Sequence, residues 1–282
     1  MTDELRIDAL LPPEMARRAE YIGVRKAEAP VLTTFILAVL AGAFIALGAV
    51  FATTIAAGST TLPYGVAKLL IGLGFCLGLV LVIVGGAELF TGNNLIVMAW
   101  ASGKVSTRAL LWIWAIVYAG NFVGSVGTAI MIFFSRQYLF SGGAVGATAL
   151  GIATGKVGLG WIQAVFLGTL CNILVCLAVW LTFSARSTID KIAAIIFPIT
   201  AFVAAGFEHS IANMYFIPIG LLIKNFDPTF VATLGLDVSG LTWSTFLLKN
   251  LLPVTLGNII GGSLFVAAVY WAVFLRQTQT ES

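Results

Sequence analysis

Long uncharged runs set the frame of this chain. No Asp, Glu, Lys or Arg interrupts residues 31–67, 109–135, 157–185 or 251–275. Each run is long enough for an α-helix to cross a hydrocarbon core, which takes about 20 residues. Two further apolar stretches, roughly 66–101 and 191–223, are too long for one crossing and too short for two with a loop. Each contains a Gly-rich polar patch. The first reads Gly86-Ala87-Glu88-Leu89-Phe90-Thr91-Gly92-Asn93. The second, 120 residues later, reads Gly206-Phe207-Glu208-His209-Ser210-Ile211-Ala212-Asn213, with Gly, Glu and Asn at the same offsets. Polar, Gly-rich patches inside a span predict a broken helix whose freed backbone groups bond side chains or line a cavity. The pattern predicts an all-α integral membrane protein with six crossings, the second and fifth broken.

Three crossings per half make the second half enter from the opposite side, so the halves are expected to be inverted repeats. Gly120-Asn121-Phe122-Val123-Gly124 in the third crossing and Gly257-Asn258-Ile259-Ile260-Gly261 in the sixth repeat the correspondence. Gly-x-x-x-Gly lets helix backbones approach closely, and packing alone accounts for it. The organisation expected is an amino-terminal arm (1–29), a first repeat (30–135), an external linker rich in Gly and Ala (136–156), a second repeat (157–275) and a short tail (276–282). In the arm, Pro12 and Pro13 start a helix that Pro30 ends. Met15, Ala19 and Ile22 share one face, so this helix is expected along the membrane surface or over the inner mouth of a pore.

Glu88 and Glu208 are acidic residues placed inside these apolar surroundings. An ionised carboxylate at that depth costs about 2.5–3.5 kcal/mol by insertion scales and must find partners. One reading makes Glu88, Asn93, Glu208 and Asn213 internal caps for the helix breaks. Paired breaks in two halves also point to a transport site near the midplane, and the two readings are compatible.

Composition narrows the class. Mean hydropathy is +1.04, with 60% hydrophobic and 10% charged residues, which excludes an ordinary soluble domain. Ten of the 15 lysines and arginines, Arg6 among them, fall on the side shared by the termini, placing both termini in the cytoplasm. The net charge of +3 therefore reports topology and carries no nucleic-acid signature. Cys76, Cys171 and Cys176 sit in apolar runs and read as core residues. With one histidine and no zinc spacing, no metal or cofactor is expected, and no nucleophile–base constellation suggests an enzyme. The first 29 residues are polar and mixed in charge, so no cleavable signal peptide is expected.

The segments 86–92, 168–177 (Gly-Thr-Leu-Cys-Asn-Ile-Leu-Val-Cys-Leu) and 206–213, with Pro253-Val-Thr-Leu-Gly-Asn-Ile-Ile-Gly261, resemble the formate/nitrite transporter family from about residue 8 to the end of the sixth crossing. The resemblance implies an aquaporin-like protomer with its own pore, a homopentamer in lipid, and a bacterial cytoplasmic (inner) membrane location. It implies a pH-sensitive channel for formate and related small monovalent anions or their neutral acids. The same resemblance leaves nitrite or hydrosulfide as the alternative substrate. Carried over by position, it assigns His209 and Thr91 to a central polar pair and Asn172 and Lys156 to the anion's route. It assigns Phe75, Leu79, Leu89, Phe90, Val175, Phe202 and Ala212 to constrictions. Each apolar residue of that set has plain core packing as its other reading.

Magnitudes frame the mechanism. Protonating a carboxylate costs about 1.36 kcal/mol per pH unit above its pKa, so roughly 4 kcal/mol at pH 7 for a carboxylic acid of pKa near 4. The neutral route wins where the constrictions charge the bare anion more than this. A histidine, with an ordinary pKa of about 6.5, exchanges protons in the relevant range. His209 is thus expected either to relay a proton to the anion or to stay neutral while the anion passes.

Overall fold

Inside hydrocarbon no water reaches the backbone, so apolar segments satisfy their N–H and C=O groups within helices. The computed structural model describes residues 10–59 and 61–276, and these are nearly all helical. Arg6 and the tail from residue 277, both part of the topology expected from sequence, lie outside the described residues.

The chain opens with α1 (Pro12–Ala27), α2 (Val31–Ala57) and α3 (Tyr64–Gly85). A 3₁₀ turn (Gly92–Ile96) leads into the short α4 (Val97–Ala101), followed by α5 (Thr107–Phe134). Then come α6 (Ala144–Val157), α7 (Trp161–Thr182), α8 (Thr188–Ala204), α9 (Ser210–Phe226) and α10 (Pro228–Leu234). A last span, Thr245–Phe274, closes the chain. Among the described residues, α2, α3, α5, α7 and this last span are each long and apolar enough to cross a membrane. The molecule is a multi-pass membrane protein.

The two polar patches interrupt helices in the same way. α3 ends at Gly86 (φ +74°) and α8 runs out at Gly206, with the same φ. Glycine adopts this left-handed conformation without the Cβ clash other residues meet. In each case the next N–H turns back to the last turn: Ala87 to the Val82 carbonyl (2.9 Å) and Phe207 to the Phe202 carbonyl (3.0 Å). The chain then bonds a neighbouring span, Glu88 N–H to the Leu37 carbonyl and Glu208 N–H to the Leu167 carbonyl, both at 3.2 Å. Helix resumes with Asn93 N–H on the Leu89 carbonyl and Asn213 N–H on the His209 carbonyl, both at 2.9 Å.

The Gly-x-x-x-Gly segments bring backbones together. A Cβ on Gly124 would fall 1.9 Å from the Val39 carbonyl oxygen of α2, and one on Gly257 2.1 Å from the Val165 carbonyl oxygen of α7. Only glycine permits α5 and the last span to lie this close to their neighbours.

One expectation changes. Residues 136–156, read as an external loop, are largely helical, because α6 spans Ala144–Val157. Its alanines and glycines are packing residues: Val145, Ala149, Leu150 and Ala153 are buried, and Gly220 of α9 leaves room for Ala153. Small residues mark helix contacts in membranes as often as they mark turns, which is why composition misled. The arm, α1, packs against the short α4 and helps to wall a cavity. Gly23 packs against Ala99 of α4, Glu20 forms an ion pair with Lys104, and the Ser184 hydroxyl donates to the Leu10 carbonyl (2.9 Å). On the far side, Asp227 caps α10 by accepting the Phe230 N–H (3.1 Å), and its other oxygen accepts the Tyr138 hydroxyl (2.7 Å).

Candidate functional site

The breaks place their glutamates beside a lysine brought by a preceding helix. Glu88 Oε2 accepts Lys26 Nζ of α1 (2.8 Å) and Asn93 Nδ2 (2.9 Å), and Lys26 also donates to Asn93 Oδ1 (2.8 Å). Glu208 Oε1 accepts Lys156 Nζ of α6 (2.7 Å), while its Oε2 accepts Asn213 Nδ2 (2.7 Å) and Asn250 Nδ2 (3.2 Å). Charge pairing plus side-chain amides is what makes a carboxylate tolerable at this depth. Each lysine lies five residues ahead of the first residue of the helix that follows, Val31 or Trp161. That shared spacing was the available signal for Lys26, which sequence reading counted only as a topological charge.

The four predicted caps therefore do not bond backbone N–H groups with their side chains. That work falls to residues read as packing elements. Asn121 Oδ1 accepts the Phe90 N–H (2.9 Å), and its Nδ2 donates to the Ala38 and Glu88 carbonyls (2.7 and 2.9 Å). Asn258 does the same in the other half, accepting the Ser210 N–H (2.9 Å) and donating to the Gly168 and Glu208 carbonyls (2.8 and 3.0 Å). A carboxylate is already satisfied by its lysine, whereas a neutral amide offers both a donor and an acceptor to a broken backbone.

Between the breaks, Thr91 Oγ1 and His209 Nε2 stand 3.0 Å apart, both buried. His209 also caps α9, its Nδ1 accepting the Ala212 N–H (3.1 Å). An imidazole whose Nδ1 accepts carries its proton on Nε2, so the neutral ring donates toward Thr91. Thr91 is held from behind, its carbonyl accepting Asn172 Nδ2 (3.2 Å) and the Cys176 thiol (3.3 Å).

A cavity opens on each side of this pair. One, on the α1 side, has a volume of about 270 Å³ and is walled by Arg18, Lys26, Lys191, Glu88, Asn93, Leu79 and Leu89. The other, of about 220 Å³, is walled by Lys68, Lys156, Glu208, His209, Phe75, Phe202, Ala212 and Phe216. Phe75 and Leu79, one turn apart on α3, thus face opposite cavities. An aromatic cluster walls the second cavity: Phe75 meets Phe202 edge-on (5.6 Å), and Phe202 stacks on His209 (5.9 Å). Phe216, unmarked by sequence reading, stacks on Phe75 (6.4 Å) and carries the Lys156 ammonium 5.4 Å above its ring.

Besides Thr91 itself, three predicted residues line neither cavity. Phe90 packs its ring against Trp114 and Tyr118, Val175 is buried on α7, and Asn172 is a strap joining Thr91, Asn94 and Asn258. Asn172 thus supports the central pair from behind.

Comparison with known proteins gives one consistent result. The family model described as formate/nitrite transporter matches residues 13–272. The formate channel FocA of Escherichia coli (strain K12) is 46% identical over 274 residues, covering 96% of this chain and 96% of that protein. The formate channel FocA of Haemophilus influenzae is 42% identical over 262 residues, covering 92% of each. A solved structure described as a pentameric formate channel with formate bound superposes with a TM-score of 0.82 at 46% identity, covering 87% of this chain and 98% of that one.

Proposed function

The chain belongs to the formate/nitrite transporter family, and on that premise we propose that it is a pH-sensitive channel passing formate, as the anion or as formic acid, across the bacterial cytoplasmic membrane. The observation that carries the reading is the Thr91–His209 contact, buried between two cavities that each present a lysine. The protomer has six crossings in two inverted repeats on an aquaporin-like plan, each repeat opened by the helix that delivers its lysine. Five such protomers assemble, as in the formate channel of similar structure. The termini and the α1 cavity face the cytoplasm, by the excess of lysine and arginine there.

Lys26 and Lys156 draw the anion into the cavities, and the helix N-terminus at His209 adds positive potential. Leu79 and Leu89 form the inner constriction, and Phe75, Phe202 and Ala212 the outer one. At neutral pH the ring is neutral, and its Nε2–H together with the Thr91 hydroxyl supplies donors to a passing carboxylate. In acid the ring takes up a proton at Nδ1, releasing the cap on Ala212, and hands the Nε2 proton to formate, which crosses as the neutral acid. The ring, left neutral with its proton on Nδ1, then takes up a proton at Nε2 and loses the one on Nδ1, which restores the capped form. Formate current and tracer flux through the purified protein in liposomes, measured across pH 4–8, test the reading. Formate flux rising on acidification supports it. Larger flux for nitrite or hydrosulfide than for formate moves the substrate within the family, and no solute flux at all sinks it.

A further inference from the structure

The last span carries a π-helical stretch, Thr245–Leu251, just ahead of Pro253. Proline offers no N–H to the carbonyl four residues before it, and a widened turn absorbs such a gap. Asn250 lies in this stretch, fully buried. Its Nδ2 donates to the Lys156 carbonyl (2.9 Å) at the end of α6 and to Glu208 Oε2 (3.2 Å). Its Oδ1 accepts Asn213 Nδ2 (2.7 Å). One amide thus ties together α6, the break and the start of α9.

The other half is tied differently. There Trp114 of α5, which is α-helical throughout, donates its Nε1–H to the Asn93 carbonyl (3.0 Å). Its indole does not bond Glu88, whose carboxylate, among the described residues, takes only Lys26 and Asn93.

We propose that Asn250 is a positioning residue for anion capture from the α6 side. It fixes the Glu208 carboxylate and the backbone of Lys156 together, so the ammonium is held on the cavity wall above Phe216. An ammonium has three donors, and Glu208 takes one, leaving the others for an arriving carboxylate. Without Asn250 the lysine–glutamate pair swings as a unit and meets the anion in many geometries. The cavity on the α1 side, with no matching amide, does not depend on such a tie.

This inference rests on the formate-channel reading. The test is formate current in oriented planar bilayers, with formate varied on one side at a time. Asn250→Leu is expected to raise the half-saturating formate concentration from the α6 side roughly three- to tenfold, the factor that goes with one lost hydrogen bond. The α1-side value and the maximal current change less. On a Lys156→Gln background, Asn250→Leu adds no further shift. An unmoved half-saturation, an equal shift from both sides, or a full extra shift on the Lys156→Gln background overturns the inference. Asn250→Ser, too short to reach Glu208, gives the same readout where the leucine variant does not assemble. Loss of assembly in both variants, read by size exclusion in detergent, makes Asn250 purely structural and also overturns it. Absence of formate current in the unmodified protein fails the channel reading instead, which keeps the two outcomes apart.

Discussion

His209 and Ala212 are joined by a ring-to-backbone bond: the Ala212 N–H donates to His209 Nδ1 at 3.1 Å. The residue proposed to handle the proton is therefore also the cap of α9, and each role constrains the other. Asparagine caps a helix about as well as any residue and offers an N–H donor, but does not titrate. His209→Asn is expected to keep formate flux at neutral pH within about tenfold, the weight of roughly one hydrogen bond. The rise in uptake on acidification is expected to disappear. Stopped-flow formate uptake into liposomes reads both. An asparagine variant with an undiminished acid response would remove His209 from the proton path.

The two glutamates at the breaks are expected to differ in weight. Glu208 keeps 6% of its side chain exposed and bonds Lys156, Asn213 and Asn250, whereas Glu88 keeps 15% and bonds Lys26 and Asn93. Removing one partner of a buried pair leaves the other charge uncompensated and costs about 3–5 kcal/mol when desolvation is complete. Glu208→Ala is expected near the lower end of that range, and Glu88→Ala about 1–2 kcal/mol below it, because Lys26 retains more water. Thermal unfolding of the two variants in the same detergent ranks them; equal losses would contradict the ordering.

Close helix contact predicts a sharp contrast within one helix. A Cβ on Gly124 would sit 1.9 Å from the Val39 carbonyl oxygen, while one on Gly127 meets nothing within 4 Å. Gly124→Ala is expected to prevent assembly, since the clash is with backbone and has no flexible end to move. Gly127→Ala, one turn on, is expected to be neutral or to add up to about 1 kcal/mol through helix propensity. Expression and size exclusion separate the two outcomes.

Outside the membrane, Asp227 sets a pH dependence. The Tyr138 hydroxyl and then the Phe230 N–H hold its carboxyl below the usual range. A depressed folded value means stabilisation that is present above the ordinary carboxylate pKa of about 3.9 and is lost as pH falls through the lower folded value. Asp227→Asn is therefore expected to lower the melting temperature at pH 7. The difference from the unmodified protein is expected to shrink below about pH 4, as the carboxyl protonates in both states. A melting-temperature gap that stays constant from pH 7 to pH 3 would rule this out.

Sequence alone carried what depends on solvent and on local backbone chemistry. Uncharged runs of span length report a hydrocarbon environment without any tertiary information, and Gly86 and Gly206 mark the breaks because only glycine takes a left-handed stop so readily. The repeated Gly, Glu and Asn offsets showed that the halves correspond. Partnership was not legible, because it depends on which faces meet across about 30 to 60 residues. Lys26 was only a charge on the arm until α1 packed on α4 and brought it to Glu88. Asn121 and Asn258 looked like fillers in close-packed segments until those segments were seen to carry backbone groups that needed a donor and an acceptor together. Residues 144–156 looked like a loop because alanine and glycine serve turns and helix contacts alike, and only a neighbour such as α9 decides between them. A buried polar group is named by its sequence, but what satisfies it is chosen by the packing.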